Sequence, residues 1–242
     1  MRNILRRLIR FVGYEIHRTG MPHYGAHPLA DIRRFSYRKV STLVDVGANV
    51  GQTSLEFSKY FQDARIHAFE PVSSTYEKLV ANTRKLKNVE PHRLAVGSRS
   101  GTATIWLQTN SQTNSLNATL NVETADSEVV HVTTLDEFTK RIGIREIDVL
   151  KTDTENFDLE VMEGASALLR DGRVGFVLSE VGITQADTGH TNLFELSERL
   201  QKDDFELMGI YDRLDHEMRP RVRSWCNALF IRKGLLDLLP VS

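Results

Sequence analysis

Short apolar runs alternate with segments of helical apolar spacing along most of the chain. The apolar runs predict strands at residues 42–46, 65–69, 89–96, 147–150, 174–181, 205–211 and 224–231. Helical spacing is found over residues 52–60, 73–86, 159–169 and 193–200. Because alternating strands and helices fold into a parallel sheet with helices on both faces, the pattern predicts an α/β fold.

The pattern departs from simple alternation in two places. No helical segment separates residues 205–211 from residues 224–231, which predicts an antiparallel pair at one edge of the sheet. Residues 101–107 alternate in polarity and residues 128–134 are rich in valine and threonine, so both predict extra strands. The Ser-, Asn- and Thr-rich stretch at residues 108–121 between them predicts a surface loop.

The first 18 residues form a separate pattern. Apolar residues at positions 4–12 recur near helical spacing among Arg2, Arg6, Arg7 and Arg10, which predicts a short basic amphipathic helix. Two interpretations stay open: the helix packs on the domain, or it docks on an anionic membrane surface. Glycine and proline at residues 19–28 predict a linker. We therefore divide the chain into an N-terminal helix and linker, residues 1–30, and a single domain, residues 31–242.

Composition and charge limit the classes of protein to which the chain can belong. The 242-residue chain has a formal net charge of −1, which gives no global electrostatic argument for a nucleic-acid partner. Its one cysteine, Cys226, cannot form an internal disulfide. The apolar runs are too short for a membrane-spanning helix, and arginines interrupt the first one, which argues against a secretory signal. We expect a cytoplasmic protein, with peripheral contact to the inner membrane face through residues 1–18 left open. The sequence leaves the oligomeric state open.

The loop after the first predicted strand carries the first candidate site. It reads Asp45-Val46-Gly47-Ala48-Asn49-Val50-Gly51, and in such sheets ligands bind beyond the carboxyl ends of the strands. Gly47 and Gly51 let the backbone approach a ligand closely, and Asp45 suits the positive sulfonium and ammonium groups of S-adenosylmethionine. A phosphate loop needs Gly-Lys-Ser/Thr and a dinucleotide loop needs G-x-G-x-x-G, and the segment has neither. The alternative is a tight turn without a ligand.

Phe69-Glu70-Pro71, at the end of the second predicted strand, forms the second candidate site. A carboxylate at this point of a nucleotide-binding fold accepts hydrogen bonds from ribose hydroxyls. Pro71 has no N–H and ends the strand. A surface charge in front of a helix is the alternative, but the pairing of Glu70 with the glycine loop favours a nucleoside-containing methyl donor.

Acidic residues and a histidine follow the fourth and fifth predicted strands, at the same edge. Asp153 is placed to orient the methyl donor or the acceptor, and Glu155 shares that role or caps the next helix. Glu180 ends the fifth strand, and His190 in the next loop is a candidate to take a proton from an acceptor hydroxyl, unless it is a surface histidine. We select Asp153, Glu180 and His190 as catalytic candidates. A divalent metal held by these three is an alternative that their spacing does not support, and we predict no metal site.

Together these motifs resemble the FkbM-type S-adenosylmethionine-dependent methyltransferases over about residues 43–232. The matching segments are Val44–Gly51, Phe69–Pro71, Asn82, Thr134–Asp136, Asp148–Glu155, Gly164–Ala165 and Asn227–Phe230. The resemblance implies a Rossmann-like, seven-stranded, mostly parallel sheet and O-methylation of a hydroxyl on a sugar, glycan or natural product. The cofactor-binding residues predicted from the motifs and the resemblance are Asp45, Gly47, Ala48, Asn49, Gly51, Glu70, Pro71 and Asp153.

One position departs from the family's pattern. The family has glycine after the Asp-x-Glu acids, where this chain has Asn156; asparagine tolerates positive φ, so the turn can form. Relatives occur among glycan-assembly enzymes, which gives the basic N-terminal helix a role in holding the enzyme near lipid-linked acceptors. Two rival functions are a scaffold protein that keeps the fold without transferring methyl groups, and a nicotinamide oxidoreductase. The missing third glycine and Asp45 disfavour the oxidoreductase.

Overall fold

The computed structural model describes residues 24–106, 126–211, 224–236 and 238. The predicted helix at residues 1–18 and the predicted polar loop at residues 108–121 lie outside these residues. None of the described helices is long and apolar enough to cross a membrane.

Strands and helices alternate through the described residues. The strands are β1 Thr42–Val46, β2 Arg65–Phe69, β3 Val89–His92, β4 Ala95–Val96, β5 Gly101–Trp106, β6 Ser127–Thr133, β7 Ile147–Thr152, β8 Val174–Gly182, β9 Phe205–Tyr211 and β10 Trp225–Arg232. The helices are α1 Pro28–Phe35, α2 Gln52–Tyr60, α3 Ser73–Thr83, α4 Leu135–Ile142, α5 Asp158–Gly164, α6 Ser166–Arg170, α7 Leu193–Gln201 and α8 Lys233–Leu236.

Seven strands form one sheet in the order β3-β2-β1-β7-β8-β10-β9. β10 runs antiparallel to both β8 and β9, and the remaining neighbours are parallel. The predicted Rossmann-like, mostly parallel sheet and the antiparallel pair at its edge are therefore confirmed. The strand order reverses between β1 and β7, and the carboxyl ends of strands at such a reversal form a crevice where ligands bind.

The predicted strand at residues 89–96 is wrong as a single element. β3 ends at His92, opposite the last residue of β2, and Pro71 cannot extend the β2 ladder because it has no N–H. The chain then turns, and Ala95 and Val96 pair with β6 in a separate three-stranded sheet of order β4-β6-β5. The two extra strands predicted from the sequence are β5 and β6, which pair antiparallel.

Helices cover both faces of the large sheet. Successive residues of a strand point to opposite faces. On one face Leu43 of β1 packs in a cluster with Phe57 of α2 and with α1. On the other face Val44 belongs to a cluster with Val161 of α5 and with α4, α6 and α7. The central strands are thus buried on both faces, and ligands can reach them at the carboxyl ends of the strands.

The sequence pattern predicts neither α1 nor α4, and it predicts one helix where α5 and α6 stand. α1 begins at Pro28, so the predicted division of the chain after residue 30 falls inside a helix that packs on the sheet. α4 begins after Thr134, whose hydroxyl caps it. The two carboxylate oxygens of Asp136 accept the N–H groups of Ala167 and Leu168 at 2.9 and 3.0 Å, so a side chain of α4 caps the start of α6 and the two helices α5 and α6 are separate.

Candidate active site

A cavity of about 390 Å³ opens at the carboxyl ends of β1, β2, β7 and β8, where the strand order reverses. Of the residues predicted for the site, those that line the cavity are Gly47, Ala48, Asn49, Glu70, Pro71, Asp153, Glu155, Glu180 and His190. Asp45 and Gly51 are not among its lining residues. The sheet therefore brings residues from four separate segments of the chain to one cavity.

The loop after β1 packs closely against the loop after β7. Gly47 has a φ of +73°, and a Cβ at this position would overlap the carbonyl oxygen of Asp153. The N–H groups of Gly47 and Ala48 donate to the carbonyl oxygen of Phe69 at 3.1 and 2.9 Å, and Asn49 has a φ of +49°. Glycine meets both the conformation and the close contact at position 47, so backbone atoms form this wall of the cavity.

Gly51 and Asn82 hold the same loop from outside the cavity. Gly51 has a φ of +97° at the start of α2, and a Cβ there would lie 2.9 Å from Cδ1 of Leu79. The side-chain amide of Asn82 donates to the carbonyl oxygen of Val50 at 2.8 Å. These two residues fix the loop to α2 and α3, so any contact of Gly51 with a cofactor stays a prediction.

Lys151 lies between two carboxylates next to this loop. Its Nζ is 3.3 Å from Oδ1 of Asp45 and 3.2 Å from Oδ2 of Asp153, and it donates to the carbonyl oxygen of Gly47 at 3.3 Å. The hydroxyl of Ser54 donates to Oδ2 of Asp45 at 2.6 Å. Burial by itself lowers the pKa of Lys151, but the charges of Asp153 and Asp45 outweigh burial and raise that pKa above its usual value. Asp45 thus serves an ion pair that joins β1 to β7, and its direct contact with a cofactor stays a prediction.

Glu70 lines the cavity directly after β2 and is 7% exposed. Its Oε2 accepts the N–H of Asn49 at 3.1 Å, and its Oε1 accepts the N–H of Val72 at 3.0 Å. Burial raises the pKa of Glu70 to about 7, against the opposing effect of these two hydrogen bonds and of Lys151. A carboxylate has about four lone-pair sites, so Glu70 keeps acceptor capacity for a ligand with two hydroxyls.

An apolar wall of the cavity has no local motif in the sequence. Its residues come from the segment after β2, from the turn before β4 and from the small sheet: Val72, Leu94, Ala95, Val96 and Ile105. β4 and β5 reach the cavity because both pair with β6, which is distant in sequence. Together with Glu70 they give this end of the cavity one apolar and one polar side, which suits a nucleoside.

The loop after β7 makes a left-handed turn at Glu155 and Asn156, whose φ values are +52° and +73°. Asn156 stands where the FkbM-type sequences have glycine, and it adopts the positive φ that the turn requires. Glu155 lines the cavity, and burial, reinforced by the negative charge of Asp153, raises the pKa of Glu155 to about 7. The N-cap of α5 is Phe157, so Glu155 does not cap that helix.

His190 stands between two acids in the loop that joins β8 to α7. Its Nε2 is 3.7 Å from Oε1 of Glu180, and its Nδ1 is 2.9 Å from Oδ1 of Asp187. The ring centroid of Trp225 is 5.7 Å from that of His190. The sequence motifs mark neither Asp187 nor Trp225. Asp187 is three residues before His190, so its nearness to the histidine could have been predicted from the sequence. Trp225 is distant in sequence and reaches the site because β10 lies between β8 and β9.

Among the described residues, one group of three potential metal ligands has its ligand atoms within 4.8 Å of one another: His67, Glu90 and His92, on β2 and β3. Nδ1 of His67 and Nε2 of His92 are 3.1 Å apart, and the ring centroids are 5.3 Å apart. The distance between the two ring centroids is nearly the sum of the nitrogen–nitrogen distance and the distance from each nitrogen to the centre of its own ring. The two nitrogens therefore face each other head-on, as in an N–H···N hydrogen bond, and do not converge on a third point where an ion would bind. Burial lowers the pKa of both histidines, which keeps the pair neutral.

Comparison with known proteins finds a family whose sequence model matches most of the chain. The sequence model of the methyltransferase FkbM domain matches residues 45–207, and the methyl donor of that family is S-adenosylmethionine. Hexuronic acid methyltransferase AglP of Haloferax volcanii is 30% identical over 140 residues, which cover 57% of this chain and 55% of AglP. Methyltransferase sdnD of Sordaria araneosa is 29% identical over 156 residues, which cover 50% of this chain and 59% of sdnD. The chain spans between half and two thirds of the length of these curated relatives.

Solved structures show a more distant likeness. Fibrillarin of Aeropyrum pernix, crystallised with S-adenosylmethionine, has a TM-score of 0.47 and 13% identity over 81% of this chain and 68% of fibrillarin. TrmK of M. capricolum, in complex with S-adenosylhomocysteine, has a TM-score of 0.48 and 8% identity over 87% of this chain and 70% of TrmK. Likeness at this level adds nothing to what the strand order of the chain already shows.

Proposed function

We propose, from the premise that the chain belongs to the FkbM methyltransferase family, that it is an S-adenosylmethionine-dependent O-methyltransferase. The acceptor in this proposal is a hydroxyl of a sugar, glycan or glycosylated natural product. The observation that carries the proposal is one cavity that joins the Gly47 loop and Glu70 to the pair Glu180 and His190. The named activity of AglP, a hexuronic acid methyltransferase, supports an acceptor derived from a sugar.

The end of the cavity near Glu70 suits S-adenosylmethionine. Glu70 accepts one backbone N–H on each oxygen and keeps lone pairs for the two ribose hydroxyls. The apolar wall from β4 and β5 suits the face of a purine. Asp153, which lines the same cavity, adds negative charge for the cationic methionine end. When bound, S-adenosylmethionine supplies a methyl group on positively charged sulfur, and the protein supplies position and exclusion of water.

The other end of the cavity suits a hydroxyl acceptor. A sugar hydroxyl is a weak nucleophile until its proton is being removed, so this end needs a base. His190 is the base in our proposal, because its ring lines the cavity and one nitrogen of a neutral imidazole is an acceptor. Glu180, 3.7 Å from Nε2, stabilises the positive charge that His190 then gains. Trp225 adds an apolar aromatic surface for the acceptor.

We further propose that the predicted methyltransferase domain, residues 31–242, also includes the start of α1 from Pro28, and that the basic segment 1–18 holds the protein at the inner membrane face, near lipid-linked acceptors. The support is the pattern of apolar residues among four arginines. Cosedimentation with vesicles that contain anionic lipid tests this proposal. We expect the full chain to pellet at low salt, and a variant with glutamine at Arg2, Arg6, Arg7 and Arg10 to stay in the supernatant. Equal pelleting of both contradicts it.

Calorimetric titration with S-adenosylmethionine tests the methyl-donor site. We expect binding by the wild type and affinity weaker by about a hundredfold in Glu70→Ala, because two hydrogen bonds to a charged acceptor are lost. Glu77→Ala is the matched control, since Glu77 is exposed on α3 and does not line the cavity. Unchanged affinity in Glu70→Ala contradicts the proposed site.

Incubation with methyl-labelled S-adenosylmethionine then tests the transfer. The acceptor panel contains hexuronic acids, neutral sugars, glycans and lipid-linked sugars, and mass spectrometry detects the added methyl group. We expect labelled product from at least one sugar-containing acceptor. Binding of the cofactor without transfer to any member of the panel favours the scaffold function, and absence of binding contradicts both.

A further inference from the structure

The loop that carries His190 is closed at its base. The N–H of Gly182 donates to the carbonyl oxygen of Thr191 at 2.9 Å, and the N–H of Ile183 donates to the carbonyl oxygen of Ser224 at 2.7 Å. A Cβ on Gly182 would lie 3.2 Å from Cβ of Asp187, so the glycine leaves room for Asp187 inside the loop. The position of Asp187 relative to the cavity is therefore set by the ends of β8 and β10.

Asp187 contacts both the backbone and the ring of His190. Its Oδ1 accepts the N–H groups of Gly189 and His190 at 3.0 and 3.1 Å. Its Oδ1 and Oδ2 lie 2.9 and 3.0 Å from Nδ1 of His190. The Asp187 side chain is 5% exposed. Burial opposes ionisation, but the hydrogen bonds from His190 and the backbone outweigh it and lower the pKa of Asp187, so it is a carboxylate at neutral pH.

An ionised carboxylate accepts hydrogen bonds and donates none. The carboxylate of Asp187 therefore requires the proton of neutral His190 to be on Nδ1, which leaves the lone pair on Nε2. Nε2 is 3.7 Å from Oε1 of Glu180, beyond hydrogen-bond distance, and the ring lines the cavity. The charged groups that face His190 are Asp187 on its own loop, Glu180 on β8 and Glu155 after β7. All three are acids, so they favour positive charge on the ring after it accepts a proton.

We propose that Asp187 is a positioning residue that fixes His190 in the Nδ1–H tautomer, with Nε2 directed to the acceptor. The role of Nε2 rests on the proposed function, whereas the tautomer is a property of the free protein. During transfer the acceptor oxygen forms a bond to the methyl carbon, the carbon–sulfur bond breaks with its electron pair passing to sulfur, and the acceptor proton passes to Nε2. Asp187 and Glu180 then flank the imidazolium.

Nitrogen-15 NMR of the imidazole groups in the full chain tests the tautomer without an acceptor. The chain has eight histidines, and the signal that His190→Gln removes identifies His190. We expect the Nδ1–H tautomer for neutral His190 in the wild type. In Asp187→Asn we expect the Nδ1–H fraction to fall, because the amide can present an N–H donor to Nδ1. Glu180→Gln is the contrast, since Glu180 faces Nε2 and its replacement should leave the tautomer unchanged.

The outcomes separate this proposal from the proposed function. An Nε2–H tautomer in the wild type overturns the positioning role even if Asp187→Asn does not fold. An unchanged tautomer in a folded Asp187→Asn protein overturns it as well. With an accepted substrate, we expect Asp187→Asn to lower kcat by at least about tenfold, with unchanged affinity for S-adenosylmethionine. Full turnover in His190→Ala contradicts the base assignment under the proposed function, whatever the tautomer measurement shows.

Discussion

The two ends of the cavity are built from different parts of the chain. At the cofactor end, backbone atoms set the polar side: Gly47 packs against the carbonyl oxygen of Asp153, and backbone N–H groups hold both oxygens of Glu70. At the acceptor end, side chains define the shape: Glu180 comes from a strand and His190 from the loop beyond it. The first end is fixed by the fold itself, and the second by side chains placed on the fold.

This difference has a consequence for mutations. A wall made of backbone cannot change without movement of β1 and β7, so substitutions at the cofactor end should affect the stability of the whole domain. Side chains at the acceptor end can change while the strands beneath them stay in place. Substitutions there should affect turnover or acceptor choice and leave the free energy of unfolding nearly unchanged.

We expect Lys151→Met to have the largest effect on stability, because Lys151 joins β1 to β7 beneath the cofactor end. The substitution leaves the buried Asp45 carboxylate without its cation, which typically costs about 3–5 kcal/mol. Urea unfolding measures the loss. Lys39→Met is the matched control: Lys39 and Asp63 are 2.7 Å apart, but their side chains are 72% and 71% exposed. An exposed ion pair contributes little, and equal losses in both variants contradict a structural role for Lys151.

We expect Gly47→Ala to lower stability by about 3 kcal/mol and to abolish binding of S-adenosylmethionine. The left-handed backbone strains a Cβ, and the Cβ would overlap the carbonyl oxygen of Asp153. Gly143→Ala separates the two causes, since Gly143 has a φ of +76° and nothing within 4 Å of the added Cβ. We expect that variant to lose about 1 kcal/mol. Similar losses in both variants mean that strain alone acts at Gly47.

The same division separates what the sequence predicts from what it does not. The glycine loop and Glu70 are short, contiguous motifs, and local rules for strand ends and turns predict them. The ion pair of Asp45 with Lys151 depends on the register of β1 and β7, in which these two residues are direct neighbours. A register between segments about a hundred residues apart cannot be derived from one sequence. Asp45 is therefore recognisable as a motif residue, but its partner is not.

At the acceptor end, local rules predict some residues and not others. Glu180 and His190 are predictable because Glu180 lies at the end of a strand that reaches the ligand edge and His190 lies in the loop beyond it. Trp225 begins an antiparallel strand whose place between β8 and β9 is a matter of topology. The apolar wall depends on β4 belonging to the small sheet while β3 belongs to the large one. The pattern of residues 89–96 predicts a single strand and does not indicate this change of sheet.

We expect His190→Ala to lower kcat by about a hundredfold, which is typical of losing a general base. Affinity for S-adenosylmethionine and the urea midpoint should stay close to wild type, since the ring belongs to the acceptor end. His131→Ala, at an exposed position of β6, is the control for histidine loss. A large loss of stability in His190→Ala would show that the acceptor end is as much part of the fold as the cofactor end, and would break the comparison.

The smallest effect we expect is a gradual loss of cofactor affinity as the pH falls. In the free protein the pKa of Glu70 is raised from 4.5 to about 7, chiefly by burial. The ribose hydroxyls need the ionised carboxylate as acceptor, so affinity for S-adenosylmethionine should be constant above about pH 7 and fall by about tenfold per pH unit below it. The sign for folding is opposite: proton uptake favours the folded free protein, so the stability that Glu70 contributes falls as the pH rises from 4.5 through about 7.

Calorimetry from about pH 8 to about pH 5.5, a range that spans the pKa of Glu70, measures the affinity for S-adenosylmethionine. Glu155 is the control because its pKa is also raised to about 7; Glu155→Gln should keep the pH dependence, and Glu70→Gln should bind weakly at every pH. If the dependence disappears in Glu155→Gln instead, the proton that competes with the cofactor is at the acceptor end.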